Sequence, residues 1–252
     1  YETLSRIGEN AILMDMPARP DGPPVRDGKP YSAIAHLAED IRAVVAVNAE
    51  LIARGYSAPA TMDVDLDEGL AVIEDLGRDV YGRLMLANSD MREPMRAAVA
   101  LLADMAAHDW PSRVRIDGQQ SYALSAYDLE AQLIEIDLLP SWFWPHIHGE
   151  AIGAAHRAEF DAIWSSLLPH TKPERPVWAL RDYHSPNLLW LPEREGLRRV
   201  GLIDTQDCLL GHPAYDLASL LQDARVDIPF DSADELFEHY CGLRASAANF
   251  DR

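Results

Sequence analysis

Residues 177–207 limit the fold more than any other stretch, because they place polar side chains at the open end of a predicted β-hairpin. Two short apolar runs, Leu188–Leu191 and Val200–Ile203, flank a segment with turn chemistry. In an antiparallel hairpin the residue numbers of all paired positions share one sum. With the centre of the hairpin in the middle of that turn, this sum makes Asn187 and Asp204 direct neighbours.

The expected pair combines an amide oxygen with a carboxylate. Mg²⁺ binds oxygen ligands of this kind while it keeps several waters and contacts substrate phosphates. Asp182 lies five residues before Asn187, on the loop that enters the hairpin, within reach of a hydroxyl group beside such an ion. Turn chemistry alone also explains any one of these residues, since Asp and Asn hydrogen-bond their own backbone.

Three motifs in a fixed order favour a functional site. Asp182–Asn187 has the sequence DYHSPN, Ile203–Asp207 has IDTQD, and Pro213–Ala218 has PAYDLA. This order resembles the aminoglycoside phosphotransferase and choline kinase family, whose members carry D-x-H-x-x-N and I-D-x-x-D where protein kinases carry other loops. Three ordered motifs are a more specific signal than any one alone.

The resemblance implies a fold of the α+β class. This fold is bilobal and protein-kinase-like, with a small, mainly β N-lobe and a larger, mainly α C-lobe. We expect the N-lobe to span residues 1–76 and bind nucleotide, and the C-lobe to span residues 77–252 and carry catalysis and substrate binding. The chain does not begin with Met, so we expect the N-lobe to be incomplete at its start and the C-lobe truncated at its end.

The resemblance also assigns roles to single residues. Asp182 is the expected catalytic residue, which orients an acceptor hydroxyl and takes its proton. The resemblance makes Asp182–Asn187 the expected catalytic loop, and the residues expected to support it are His184 and Asp216. The expected metal ligands are Asn187, Asp204 and Asp207. The residues expected to bind adenine through backbone groups are Glu74, Asp75 and Leu76.

These roles imply a phosphotransferase that uses ATP and Mg²⁺ and moves the γ-phosphate to a hydroxyl of a small molecule. The run LRDYHSPNLLWL and the IDTQD motif are most similar to the bacterial cell-wall amino sugar kinases, which phosphorylate N-acetylmuramate or N-acetylglucosamine. The resemblance therefore implies a sugar or an amino sugar as the acceptor.

Two departures from the family pattern keep other functions open. Met14 or Asp15 stands where the third family strand carries a phosphate-binding Lys, whose partner acid lies on the following helix, and Leu180 stands where many relatives have His. A catalytically inactive protein of this fold that binds nucleotide or a partner is therefore an alternative. A metal-dependent phosphohydrolase is another, although the family-like order of the motifs argues against it.

The composition of the chain limits the classes of molecule that it can bind and the compartment in which it is expected. A net charge of −19 argues against nucleic acid or an anionic membrane, because both need basic patches. No apolar run approaches the length of a membrane span. Cys208 and Cys241 have the spacing of neither a disulfide framework nor a zinc site, so we expect a cytoplasmic protein.

Periodicity predicts the remaining elements. Two further hairpins are expected, at residues 1–6 with 10–16 and at 61–66 with 70–76. Helices are expected at residues 32–54, 91–108, 127–139, 150–168, 214–225 and 234–241. The aromatic segment Leu139–His148 is expected to cover a core, although its rings would also suit the apolar face of a sugar. Asp223 is interpreted as a surface acid.

Overall fold

A computed structural model describes residues 2–6, 9–20, 22–116, 118 and 120–246, which form a four-stranded sheet beside a larger helical part. The strands are β1 (Glu2–Arg6), β2 (Glu9–Asp15), β3 (Pro24–Arg26), β4 (Lys29–Pro30), β5 (Thr61–Asp65), β6 (Leu70–Glu74), β7 (Arg113–Arg115), β8 (Ser121–Ala123), β9 (Val177–Ala179), β10 (Leu188–Trp190), β11 (Val200–Leu202) and β12 (Leu209–Gly211). The α-helices are α1 (Tyr31–Ala35), α2 (Ile41–Ala53), α3 (Tyr81–Leu86), α4 (Arg92–Met105), α5 (Leu129–Ile136), α6 (Trp144–His148), α7 (Ala154–Leu167), α8 (Tyr215–Leu221) and α9 (Phe230–Ala245). None of the helices in these residues is long and apolar enough to cross a membrane.

The four-stranded sheet has the order β1-β2-β6-β5 and contains both predicted hairpins. All its pairs are antiparallel, and Asp15 at the end of β2 lies opposite Leu70 at the start of β6. The side chains that form a small core between the sheet and α2 are Met14, Ile41, Val44, Ala71 and Ile73. Full burial of a Val, Ile or Met side chain stabilises the fold by about 1.5–3 kcal/mol. Met14 therefore serves first as a packing residue.

The prediction of a single helix over residues 32–54 is wrong, because α1 and α2 are separated by a break. His36 ends α1 with a φ of 54°, in the left-handed region, which cannot continue a right-handed helix. Asp40 begins α2, since its Oδ1 accepts a hydrogen bond from the Arg42 N–H at 2.8 Å. The apolar period of the sequence continues across this break, so periodicity does not reveal it.

The helical part is built around one large core. Trp178, Tyr81 and Tyr183 are among its fully buried side chains. α4 contacts β11, α8 and α9, which places this helix at the centre of the helical part. The Tyr183 hydroxyl donates to the Ala98 carbonyl of α4 at 2.8 Å. The loop that leads from β9 into β10 is thereby anchored in the core.

The predicted hairpin is present as β10–β11, but its predicted register is wrong by one residue. Leu188 pairs with Leu202, so Asn187 lies opposite Ile203, whose N–H donates to the Asn187 carbonyl at 3.1 Å. A 3₁₀ turn at Gly196–Arg199 fills the second half of the connection and moves the centre of the hairpin by half a residue. Asn187 and Asp204 are therefore not directly opposite each other, and strand pairing does not explain why their side chains are close.

The interpretation of the aromatic segment as a core cover is also wrong. A π-helical turn at Leu139–Phe143 leads directly into α6. Trp142 and Phe143 are 74% and 60% exposed. Helical winding turns consecutive side chains around the axis, so neighbouring rings cannot all face one core.

Backbone hydrogen bonds join the sheet side of the molecule to the hairpin β10–β11. The Leu202 N–H donates to the Ser57 carbonyl at 2.8 Å, and the Trp190 N–H donates to the Asp79 carbonyl at 2.8 Å. The Ser57 hydroxyl also donates to the Arg198 carbonyl at 2.7 Å. These contacts attach the hairpin to the segment before β5 and to the segment after β6.

Candidate active site

A cleft of about 310 Å³ lies between the four-stranded sheet and the hairpin β10–β11. Its sheet side includes Glu74, Asp75 and Leu76, which directly follow or end β6. Its hairpin side includes Asn187 and Asp204. The structure therefore places the residues predicted to bind adenine and two of the predicted metal ligands around one cavity.

Asp182 lies on the loop that enters the hairpin, beside the cleft. The Asn187 Nδ2 donates to the Asp182 carbonyl at 3.2 Å, which ties the two residues together. The Asp182 Oδ1 lies 3.3 Å from the Nε2 of the buried His184. This hydrogen bond lowers the pKa of the Asp182 carboxyl, while partial burial acts in the opposite direction. The carboxylate is consequently ionised at neutral pH and able to accept a proton.

Asp216 holds the backbone just before Asp182. Its Oδ2 accepts from the Leu180 N–H at 2.7 Å and its Oδ1 accepts from the Arg181 N–H at 3.0 Å. Burial raises the pKa of the Asp216 carboxyl to about 7, against the effect of these two hydrogen bonds. Arg181 has a φ of 67°, an unfavourable conformation for a residue other than glycine. The two hydrogen bonds that Asp216 accepts from the Leu180 and Arg181 N–H groups support this strained turn.

Asn187 and Asp204 come together despite the shifted register. The Asn187 Nδ2 lies 3.4 Å from the Asp204 Oδ2. Asp204, the second residue after β11, has a φ of 60°, so the chain leaves the strand direction where its carboxylate lies beside Asn187. The Gln206 Nε2 donates to the Asp204 Oδ1 at 2.8 Å and orients the carboxylate further.

These oxygen donors suit Mg²⁺. Among the residues that the structure describes, no group of three or more His, Cys, Asp or Glu side chains could hold a metal ion alone. A site built from one amide and one carboxylate fits an ion that takes its remaining ligands from water and substrate phosphates. Zinc sites, by contrast, require clusters of Cys and His.

Asp207, the third predicted metal ligand, lies outside the lining of the cleft. Its Oδ1 accepts a hydrogen bond from the Ala38 N–H at 2.6 Å, in the break between α1 and α2. Burial raises the pKa of the Asp207 carboxyl, and the bond from Ala38 opposes this. One oxygen of Asp207 is thus committed to the backbone, and its role as a ligand stays a prediction.

The side chains near the predicted adenine site are engaged in structural contacts. The Glu74 Oε1 lies 2.5 Å from the Arg194 Nη2, and the Asp75 Oδ1 accepts from the Gly77 N–H at 2.9 Å. Met14 contributes an apolar surface to the cleft. No Lys or Arg lines the cleft within the described part of the chain, so phosphate charge there has no side-chain cation to face.

Arg181 is a site residue that the sequence reasoning missed. Its guanidinium donates to the Ala35 carbonyl at 3.0 Å and forms an ion pair with Glu135. Glu135 also accepts a hydrogen bond from the Tyr127 hydroxyl. The residue before Asp182 therefore connects the catalytic loop to α1 and α5, and no spacing in the sequence indicates this link.

The interpretation of Asp223 as a surface acid is wrong. Asp223 is buried, and its Oδ2 accepts from the Ser185 N–H at 2.8 Å. Its Oδ1 accepts from the Arg225 N–H at 2.9 Å. Asp223 and Asp216 therefore hold the catalytic loop from two sides, with Asp182 between the two anchored segments.

Comparison with known proteins agrees with this geometry. A profile described as the phosphotransferase enzyme family matches residues 12–250. The chain belongs to this family. It is accordingly an enzyme of the small-molecule kinase class.

Two relatives with known names are similar to this phosphotransferase over most of its length. The N-acetylmuramate/N-acetylglucosamine kinase of Caulobacter vibrioides is 38% identical over 253 residues, which cover 97% of this chain and 69% of that kinase. The N-acetylmuramate/N-acetylglucosamine kinase of Pseudomonas aeruginosa is 30% identical over 86% of this chain and 54% of its own length. The chain thus spans between about half and about two thirds of these relatives.

The structure of this phosphotransferase is similar to the crystal structure of the choline kinase LicA from Streptococcus pneumoniae. The two share a TM-score of 0.56 at 13% identity, over 94% of this chain and 69% of the choline kinase. At that identity the likeness concerns the fold alone, which is kinase-like with mixed helices and strands.

Proposed function

We propose that this phosphotransferase moves the γ-phosphate of ATP, bound with Mg²⁺, to a hydroxyl group of a sugar or amino sugar. One observation carries the proposal: Asp182, Asn187 and Asp204 meet at the open end of one hairpin, beside a cleft that could hold a nucleotide. The names of the two relatives, both N-acetylmuramate/N-acetylglucosamine kinases, support an amino sugar as the acceptor.

Asp182 is the proposed catalytic residue. Its carboxylate is ionised at neutral pH, because His184 lowers its pKa, and it can therefore orient an acceptor hydroxyl and take its proton. Asp216 keeps the backbone before Asp182 in place. His184 orients the carboxylate through the contact between its Nε2 and the Asp182 Oδ1.

Asn187 and Asp204 are the proposed metal ligands, through the Asn187 Oδ1 and the Asp204 carboxylate. Mg²⁺ supplies positive charge to the phosphates of the nucleotide when it is bound. This charge matters more than usual here, since the described lining of the cleft contains no Lys or Arg. Asp207 would contribute its second carboxylate oxygen or support the loop through Ala38.

Glu74, Asp75 and Leu76 are proposed to bind the adenine ring through backbone groups. Their side chains are either buried or held by other residues, which leaves recognition to the main chain. This assignment implies two lobes that meet at the cleft, with residues 1–76 on the nucleotide side and residues 77–252 on the acceptor side.

The test is Mg²⁺-dependent ADP production from ATP by the full-length protein. N-acetylmuramate and N-acetylglucosamine are compared with aminoglycosides and choline as acceptors, beside the variant Asp182→Asn. We expect turnover with an amino sugar, reduced at least about a hundredfold in the variant, as is usual for loss of a general base. Nucleotide binding without turnover of any acceptor would support the inactive alternative, and turnover unaffected by Asp182→Asn would overturn the proposed role of that residue.

A further inference from the structure

The proposed mechanism leaves one buried polar side chain in the wall of the cleft without a role. Asn48 lies on α2, is 3% exposed, and lines the cleft together with Met14 and Val44. A buried amide is costly in an apolar wall unless its donor and acceptor are both satisfied. Both are satisfied here, by partners from different parts of the chain.

The hydrogen bonds of Asn48 fix the orientation of its amide. The Nδ2 donates to the Pro59 carbonyl at 3.2 Å, and the Oδ1 accepts from the Thr205 Oγ1 at 2.6 Å. A backbone carbonyl can only accept, so the amide nitrogen must face Pro59 and the amide oxygen must face Thr205. The amide thus holds the Thr205 hydroxyl in a single direction.

Thr205 occupies a sensitive place in the chain. It is 3% exposed and lies directly after Asp204, whose φ of 60° is an unfavourable conformation for a residue other than glycine. Such a conformation persists only where neighbouring contacts maintain it. The buried bond from the Thr205 hydroxyl to the Asn48 Oδ1 fixes the residue that follows Asp204 and is therefore one such contact.

We propose that Asn48 is a positioning residue for residues 203–207, the proposed metal-binding loop, and that it acts through Thr205 to hold the Asp204 carboxylate where it can bind a cation. The inference rests on the proposed function. It also explains how α2 contributes to the site although Met14 stands where a Lys is expected. α2 contacts the metal-binding loop directly through the Asn48 amide, whereas the family pattern predicts an ion pair between a Lys on the sheet and an acid on this helix.

Conservative substitutions separate this role from simple packing. Thr205→Val removes the hydroxyl and keeps the shape, Thr205→Ser keeps the hydroxyl, and Asn48→Leu removes the amide. The readout is calorimetric binding of Mn²⁺ in the presence of a non-hydrolysable ATP analogue, which needs neither acceptor nor turnover. We expect Thr205→Val and Asn48→Leu to weaken Mn²⁺ binding about tenfold or more, as is typical of contacts that orient metal ligands. Thr205→Ser should bind Mn²⁺ as the wild type does.

A matched control removes a buried hydrogen bond outside the cleft. The Tyr81 hydroxyl donates to the Pro94 carbonyl at 2.9 Å, and Tyr81→Phe deletes only this bond. We expect Tyr81→Phe to lower the melting temperature and leave Mn²⁺ affinity unchanged. The double variant Asn48→Leu/Thr205→Val should bind no more weakly than the weaker single variant, because both remove the same contact.

The outcomes separate the inference from the proposed function. Unchanged Mn²⁺ affinity in Thr205→Val would overturn the inference alone, and so would an equal loss in Thr205→Ser or in Tyr81→Phe. Wild-type protein that binds no Mn²⁺ with the nucleotide analogue would overturn the proposed function, and the inference with it.

Discussion

The Asp216 carboxylate lies 2.7 Å from the backbone nitrogen of Leu180, two residues before Asp182. A second bond, from the Arg181 N–H to the other carboxylate oxygen, makes the contact bidentate. Asp216 is buried and lies on α8, which follows the hairpin β10–β11. A side chain distant in sequence therefore sets the direction of the predicted catalytic loop.

Asp216→Asn is expected to destabilise the protein by about 1–3 kcal/mol, because an amide has one accepting oxygen and leaves one buried N–H without a partner. Urea unfolding measures the loss.

The pH dependence of stability gives a second, more specific test of the role of Asp216. The folded pKa of Asp216, about 7, lies above its ordinary value of 3.8, so the folded state binds more protons between these values. The contribution of Asp216 to stability is therefore full below 3.8 and lost as the pH rises through about 7.

Asp216→Asn removes this titrating group. We therefore expect wild-type stability to fall more than that of the variant between about pH 5 and about pH 8. Parallel pH profiles for the two proteins would contradict the assignment of this slope to Asp216.

His184→Phe is expected to raise the pKa of Asp182. The hydrogen bond from His184 is the largest influence that lowers this pKa, and Phe fills similar space without a donor. The acid limb of kcat/KM should consequently move to higher pH. His146→Phe, on the exposed helix α6, serves as the control and should leave the limb in place. An unmoved limb in His184→Phe would show that Asp182 does not depend on this contact.

Asp223→Asn is expected to reduce both stability and kcat. The substitution weakens the bond to the Ser185 N–H in the catalytic loop, and an unpaired buried donor costs about 1–3 kcal/mol. Asp227→Asn is a matched control, since Asp227 is exposed and a surface change of this kind usually stays within about 0.5 kcal/mol. Equal unfolding midpoints for the two variants would contradict the structural role of Asp223.

Arg181→Leu is expected to destabilise the protein more than the double variant Arg181→Leu/Glu135→Leu. The single substitution leaves the carboxylate of Glu135 largely buried without its partner, which typically costs about 3–5 kcal/mol. Replacing both charged residues removes that penalty. Urea unfolding of the wild type, both single variants and the double variant measures the coupling. Additive effects would show that the pair does not act as a unit.

The local part of the site was predictable from sequence. Asp182, Asn187 and Asp204 belong to one loop and one hairpin, so the presence of the hairpin was enough to predict that they lie near one another. The error of one residue in the register arose because a 3₁₀ turn occupies part of the connection, and turn geometry is not encoded in the apolar pattern. Asn187 and Asp204 still lie close together, because Asp204 adopts a left-handed conformation that no pairing rule predicts.

The long-range part was not predictable. Asp223, Arg181 and Asn48 form their contacts across separations of 38, 46 and 157 residues. An Asp such as Asp223 is usually exposed, so its sequence gives no reason to expect a buried anchor. Asn48 lies within an apolar helical pattern that gives no sign of a polar partner. Only the three-dimensional structure shows which of these side chains are buried and which groups they contact.

The backbone bonds from Leu202 to Ser57 and from Trp190 to Asp79 restrict how the cleft can move. Ser57 lies between α2 and β5, and Asp79 lies between β6 and α3, so the two bonds attach the hairpin to the segments that lead into and out of the strand pair β5–β6. Only backbone groups make these bonds, and none of them belongs to Asn187 or Asp204. A substitution at either of these two positions can therefore remove a proposed metal ligand and leave the attachment of the hairpin intact.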